Sequence, residues 1–432
     1  MSRITEGVVE DACLEFFAEL GYDVLHGPDI GPGGSAQERS TWDQVILTGR
    51  LRDAVGRINP GLPSSSVDAV VAQVLRPESQ NSMAENLRLH RLVTEGVAVE
   101  YPEKDGSRRH TLAWLIDFDR PENNDWLAVN QYTVVEAGKN RRPDVVMLVN
   151  GLPLGLFELK NPGAENATLR GAFNQVQTYR KDIPSFFTAN SICVLSDGLG
   201  ALMGSFSAGF EHYAPWKTID GSAVINDRPQ LEVLVKGVFE KRRFLDIVRS
   251  FVVFSDEPSG LVKRVVKYHQ YWAVNAAIES TIKASQPSGD RRGGVVWHTQ
   301  GSGKSFEMLC YAAKAMRSAE MSNPTLVLIT DRNDLDDQLF GEVFAPARIL
   351  PETPQQATSR AQMRSLLARE SGGIIFTTLQ KFAPEEKGDV HPVLTDRRNV
   401  IVIADEAHRS QYDFLDGYAD RVGRQVNTSS VR

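Results

Sequence analysis

Cysteine is scarce: Cys13, Cys193 and Cys310 are the three in 432 residues, and each stands alone. Such isolation excludes a disulfide framework and a cysteine-based metal site, and it makes the reducing cytoplasm the expected compartment. No apolar run approaches the ~18 residues of a membrane span, so no membrane partner is expected. The first residues, MSRITEGVVEDACLEFF, carry acids early and lack the basic-then-apolar order of a signal peptide. Internal repeats and low-complexity tracts are missing. So is a basic coat, since 48 Lys and Arg face 55 Asp and Glu for a net charge of −7. That balance still leaves room for a local basic groove on nucleic acid. What remains is an ordinary soluble composition, 41% hydrophobic and 24% charged, long enough for two or three domains.

Periodicity divides the chain into two α/β domains, 1–245 and 246–432. In the first, residues 8–20 have helical spacing and stop at Gly21, and 27–34 read as a loop from their glycines and prolines. Residues 85–94 read as a helix, strands begin near Val97, 133–160 are strand-rich and 171–179 are helical. An apolar helical run at 231–239 is followed by the basic Lys241, Arg242 and Arg243, near which the junction falls. In the second domain a helix is expected over 262–282 and a loop over 285–290. Residues 294–297, 325–330, 373–377 and 400–404 are candidates for the buried strands of a parallel sheet. Helical segments separate most of them, which is the doubly wound pattern.

Two groups of residues carry chemistry. The first is Pro143, Asp144, Glu158, Leu159 and Lys160, followed by Gln175 and Tyr179. Asn150-Gly151 is a hairpin signal between strands 145–149 and 154–159. A three-residue loop centred on Gly151 sets Val149 opposite Pro153 and Asp144 opposite Glu158, to within one residue. Alternation then puts Glu158 and Lys160 on one face and Phe157 and Leu159 on the other. Asp144 and Glu158 are hard oxygen ligands suited to Mg²⁺, which polarises a phosphodiester and acidifies a bound water. Lys160 is placed to orient that water and offset phosphate charge. Gln175 and Tyr179, at i and i+4, share a helix face and can brace the site or touch the DNA backbone. A Pro-Asp turn or a Glu-x-Lys charge pair alone is commonplace; both at this spacing, followed by Gln175 and Tyr179, point to a nuclease site. Glu10, on the first helix, reads as part of a solvated face, with a further acidic contact as the alternative.

The second group is Thr299, Gln300, Gly301, Ser302, Gly303, Lys304 and Ser305, with Asp405, Glu406, Ala407 and His408 downstream. Small residues between a strand and a helix let backbone N–H groups wrap the phosphates of ATP. Lys304 would reach the β- and γ-phosphates and Ser305 the Mg²⁺. Asp405, ending a buried strand, would hold that Mg²⁺ through water, and Glu406 would polarise the attacking water. Gln270 is a candidate for the adenine edge. His298 stands where the broad P-loop pattern has glycine, which fits the narrower helicase form. Asp331-Arg332 and residues 377–380 follow two further strands, where DNA-contacting or coupling loops are expected, with ordinary caps as the alternative.

Taken together, these residues resemble the restriction, or motor-nuclease, subunit of Type I restriction-modification enzymes. The specific stretches are 142–144, 150–154, 158–162, 268–270, 297–305 and 404–412, with 123–132 also similar. The resemblance implies a restriction-endonuclease-like PD-(D/E)xK domain, similar to RecB-like cores, then a RecA-like lobe of a superfamily 2 helicase-type motor. It implies Mg²⁺ and ATP as cofactors, with S-adenosylmethionine entering only through the modification subunit. The implied partners are double-stranded DNA and the modification (methyltransferase) and specificity subunits. The implied activity is cleavage of unmethylated DNA coupled to ATP-dependent duplex translocation. The family's second motor lobe, which supplies an arginine to the γ-phosphate, has no counterpart up to Arg432. The expectation is a chain that binds ATP, turns it over slowly and does not translocate. Two other readings are a repair or phage-defence nuclease-helicase without a methyltransferase, and a non-catalytic module that docks on DNA or partners.

Overall fold

The computed structural model describes residues 6–102, 107–161, 168–330, 337–382 and 393–405. They form a mixed α/β protein of two compact units, one of residues 1–254 and 258–271, the other of 255–257 and 272–432. Among the described residues no helix is long and apolar enough to cross a membrane.

The first unit is built on a six-stranded sheet whose spatial order follows the chain. Its strands are β1 (Asp23–His26), β2 (Trp126–Asn130), β3 (Val145–Val149), β4 (Leu152–Leu159), β5 (Ile192–Ser196) and β6 (Ala201–Gly204). The β1/β2 and β4/β5 pairs are parallel, and the others antiparallel. Every residue of β3 and β4 is buried, which explains their unbroken apolar sequence. Helix α1 (Glu6–Glu19) packs its Phe17 edge-on against Phe157, with ring centres 5.4 Å apart, and Phe239 closes the cluster at 5.0 Å from Phe157. Each such ring removes apolar surface worth about 2–3 kcal/mol. Helix α2 (Leu169–Asp182) joins a core cluster through Ala172, Phe173, Val176 and Tyr179, together with Val146, Leu148, Leu156 and Leu195. Thr168 caps α2 by accepting from the Gly171 N–H at 3.0 Å.

The hairpin between β3 and β4 is tighter than expected. Val149 pairs with Leu152, so the loop is the two residues Asn150 and Gly151, with φ of 52° and 78°. Both angles are positive, as a type I′ turn requires. A side chain at 151 would also strike the Leu47 carbonyl, 2.4 Å from its Cβ. The register then shifts between Met147 and Leu148, where Leu154 is the extra residue, and Val145 ends opposite Phe157. One bulge thus cancels the one-residue error at the turn and leaves Asp144 next in line to Glu158.

Two other expectations are corrected. Residues 27–30 form one turn of helix, Gly27–Ile30, before the glycine-rich turn. Pro28 is pre-set for a first helical position, and Asp29 suits the helix N-terminus. The long helix starts at Tyr268, not 262: it is α3 (Tyr268–Ser285). Gly260–Val265 is instead a strand paired with Val252–Glu257, as the turn-forming Pro258-Ser259-Gly260 and the β-branched Val262 and Val265 favour.

In the second unit a parallel sheet runs β8-β9-β7-β10, with β7 (Thr325–Thr330), β8 (Gln355–Gln356), β9 (Ile374–Thr378) and β10 (Val400–Ala404). β9 is buried throughout and β7 nearly so. β10, expected to be buried, lies at the sheet edge with Val402 58% exposed. Residues 294–297, also expected as a buried strand, form none: Val295 and Trp297 are 90% and 89% exposed. A parallel strand is buried only where neighbours cover its edges and helices its faces. Among the described residues nothing pairs with 294–297.

Lys263 points into the first unit's core. It is fully buried, donates to the Asn190 carbonyl at 2.5 Å and lies near the Phe206 and Phe254 rings. Burial lowers its amine to about 7, an effect the Cys193 thiol partly opposes. Between about pH 7 and the ordinary lysine value, folding releases a proton, so this position costs most below pH 7. Asn86 also donates to the Asn190 carbonyl, at 2.8 Å, so removing the amine leaves that oxygen bonded. Lys263→Met is expected to raise the Tm by about 2–4 °C at pH 6, with the gain shrinking toward pH 10. Thermal melts followed by circular dichroism at the two pH values check this.

Candidate active site and glycine-rich turn

Three strand-end residues converge at the open end of the β3–β4 hairpin. Asp144 precedes β3, and its Oδ2 accepts from the Leu159 N–H at 2.7 Å. Glu158, 1% exposed, accepts from the Lys160 ammonium through Oε1. The Lys160 N–H donates to the Ser196 carbonyl of β5 at 2.8 Å, which fixes the chain where its side chain departs. Phe157 and Leu159 face the other way and are fully buried. The shared face expected for Glu158 and Lys160 is therefore what the strand presents.

Burial and then the Glu158 charge raise Asp144 to about 8; the Leu159 N–H and Lys160 work in the opposite direction. A hard cation between the carboxylates would neutralise the Glu158 charge and stand in for the lost hydration, so this donor set fits Mg²⁺.

Helix α2 brings in the next pair. Tyr179 is 3% exposed, and its hydroxyl interacts with Gln175 and with Glu158. It also donates to the Arg142 carbonyl at 3.4 Å. Burial first, then Glu158, hold the phenol well above its ordinary range, so it remains a donor. Glu10 is not on a solvated face: it is 6% exposed, and its charge reaches both Asp144 and the buried thiol of Cys13. The Gln131 amide donates to both Glu10 oxygens, at 2.8 and 2.7 Å. Sequence reasoning missed Gln131; its one signal was that 123–132 is similar to the restriction-subunit family.

In the second unit, residues 299–303 form a compact turn before α4 (Lys304–Arg317). The Ser302 N–H donates to the Thr299 carbonyl at 3.2 Å, and Gly301 and Gly303 have φ of 81° and 92°. Gly303 is the N-cap of α4, and its carbonyl accepts from Phe306 and Glu307. Thr299, Gln300 and Gly301 are exposed, and Ser302, Lys304 and Ser305 are half-buried. The Lys304 ammonium donates to the His298 carbonyl at 3.4 Å, and the His298 ring meets Glu307 at 2.7 Å. Asp405 follows β10 at its carboxyl end, its N–H on the Ile329 carbonyl at 3.0 Å. Gln270 belongs to the first unit and is 5% exposed. Its side chain accepts from the Lys267 N–H at 2.9 Å, the reach-back bond of a helix capping box. Glu406 lies outside the described residues, as do Asp331, Arg332 and 407–412.

The carboxylate shift has a consequence for stability. A folded-state value near 8, against the ordinary 3.8, means folding takes up a proton between those pH values. Without metal, the favourable contribution of protonated Asp144 is lost as pH rises through about 8. Asp144→Asn keeps an acceptor for Leu159 and removes the charge. It is expected to raise the Tm of the metal-free chain by about 4 °C or more at pH 9 and by much less at pH 5. Scanning calorimetry in a chelating buffer reads both.

The match to known proteins follows the same division. Residues 3–212 match the family model of the Type I restriction enzyme R protein N terminus, and residues 269–429 match the SWI2/SNF2 ATPase model. The chain is 42% identical over 95% of its length to the Type I restriction enzyme HindI endonuclease subunit of Haemophilus influenzae, covering 39% of that protein. It is 34% identical over 94% of its length to the putative Type I restriction enzyme MjaIXP endonuclease subunit of Methanocaldococcus jannaschii, covering 40%. The chain thus spans about two fifths of the length of these relatives. It belongs to the family of Type I restriction enzyme R subunits, of which it represents the amino-terminal portion.

Proposed function

We propose that the chain carries the cutting domain and first motor lobe of a Type I restriction complex, with a PD-(D/E)xK nuclease core and a RecA-like lobe. Its substrate is unmethylated double-stranded DNA, cut in a Mg²⁺-dependent reaction. In the full-length complex, with the modification and specificity subunits, cutting is coupled to ATP-driven translocation of the duplex. The observation that carries this reading is the meeting of Asp144, Glu158 and Lys160 at one hairpin end, backed by Tyr179.

Asp144 and Glu158 would hold the ion. Magnesium supplies polarisation of the phosphodiester and a bound water of lowered pKa. Lys160, fixed against Glu158, would orient the attacking water and offset charge on the phosphate. Tyr179 would brace Glu158, and Gln175 would brace Tyr179. In the second unit the backbone of 299–303 and the start of α4 would cradle the ATP phosphates. Lys304 would exchange its His298 carbonyl contact for phosphate oxygens, Ser305 and Asp405 would attend the ATP-bound Mg²⁺, and Glu406 would polarise the attacking water. Gln270 would reach the adenine only by giving up its cap on Lys267.

The test is cleavage of an unmodified plasmid by the complex reconstituted with its modification and specificity subunits. Asp144→Ala is expected to abolish cutting, and Lys160→Ala to slow it by about 10²–10⁴-fold. Lys304→Ala is expected to remove nucleotide binding, read with a fluorescent ATP analogue, while leaving metal binding at Asp144 unchanged. Equal cutting by wild type and Asp144→Ala overturns the nuclease assignment. Unchanged nucleotide binding by Lys304→Ala overturns the motor assignment.

A further inference from the structure

Gln131 sits where β2 ends, and three separate contacts tie it to the cutting site. Its side-chain amide donates to both oxygens of the buried Glu10. Its own N–H donates to the Asp144 carbonyl at 2.8 Å, and the Tyr132 N–H follows onto the Pro143 carbonyl at 3.3 Å. Its φ is 54°, a left-handed conformation that a non-glycine side chain seldom adopts. The turn is also walled in from outside: a Cβ at Gly27 would lie 2.4 Å from the Gln131 carbonyl oxygen and 2.7 Å from that of Asn130. The Asn130 side chain is held by the His26 ring at 2.8 Å. This residue therefore joins α1, which carries Glu10, to the segment that carries Asp144. It does so with main chain on one side and side chain on the other.

We propose that Gln131 is a positioning residue of the cutting site, whose amide fixes the Glu10 carboxylate as a third acidic group serving Asp144 and Glu158. The proposal rests on the nuclease reading above and deepens it. Without the hold of that amide, the Glu10 side chain on α1 would be free to turn away from Asp144 and Glu158. The amide prevents this by giving each Glu10 oxygen a donor in one orientation. It carries no charge of its own, so it holds the Glu10 carboxyl group without adding a fixed positive charge that would compete with a cation. A backbone strained at 131 is the local cost of aiming that amide, and such strain persists where the surroundings over-determine it.

The experiment is Mn²⁺ binding to the full chain without nucleotide, followed by electron paramagnetic resonance, with thermal melts alongside. The part of the binding that Asp144→Asn removes belongs to this site. Gln131→Asn keeps an amide and suits the left-handed backbone, but its reach is shorter by about 1.5 Å. It is expected to weaken Mn²⁺ binding about tenfold with an unchanged or higher Tm. In a Glu10→Gln background the same substitution is expected to do nothing further, because its effect passes through that carboxylate. Gln131→Met, of matching length and without an amide, is the second variant and is read by the same criteria. Wild-type affinity in both variants, or equal weakening with and without Glu10, overturns the proposal while the cutting-site reading stands. Absence of any Asp144-dependent Mn²⁺ binding in the wild type overturns that reading, and this inference with it.

Discussion

Two carboxylates, Asp144 and Glu158, are held where ionising both is unfavourable, and much of the first unit is arranged around that conflict. Water is largely excluded, so their repulsion is only weakly screened. The protein does not relieve it by moving them apart. It supplies a donor to each: the Leu159 N–H to Asp144 and the Lys160 ammonium to Glu158. Both donors come from the strand that carries Glu158, one and two residues further on. The two acids are thus set by strand register, and a one-residue slip of that register would turn Glu158 toward the apolar face.

Register depends on two local features. Asn150 and Gly151 adopt the positive φ values that close a two-residue hairpin, and the bulge at Leu154 shifts everything beyond it by one. Asn150 is more than a turn residue. It is fully buried, accepts from the Asp125 N–H at 2.7 Å, and donates to the Leu115 carbonyl and the Asn124 side chain, each at 2.8 Å. The hairpin tip is therefore anchored by a satisfied polar network, at a site where an unsatisfied group would cost about 1–3 kcal/mol. Precision at the acidic end is set at the opposite end of the strands.

What could be read from sequence was what local pattern decides. Helical periodicity located α1 and α2, apolar runs located β3, β4, β7 and β9, and Asn-Gly located the hairpin. The spacing of Asp144, Glu158 and Lys160 predicted that these side chains meet, because alternation along one strand carries geometry directly. What failed depended on distant partners. Residues 294–297 have the composition of a buried strand, but burial is conferred by neighbours, and none of the described strands flanks them. Lys263 sits in a strand because its hairpin partner and core outweigh the helical pattern around it. Glu10 looked solvated because a single acidic residue on a helix usually is. Its amide partner, Gln131, lies 121 residues away, and no local signal reports a contact at that distance.

The two halves of the chain differ in how much of each site they hold within themselves. In the first unit the acids, the lysine, the tyrosine and the Gln131 amide come from one sheet and the helices packed on it, so contacts within the unit set their geometry. The glycine-rich turn shares its unit with an exposed apolar stretch at 294–297 and an edge strand at Val400–Ala404. Exposed Val295, Trp297 and Val402 gain nothing from water, and among the described residues Val400–Ala404 is paired on one side only. Under the proposed function this asymmetry has a physical sense. Metal chemistry on a phosphodiester needs rigid donors, whereas a motor site must change its surroundings during each cycle. A cutting site closed by its own core and a nucleotide turn less fully enclosed by its unit are what those opposite demands favour.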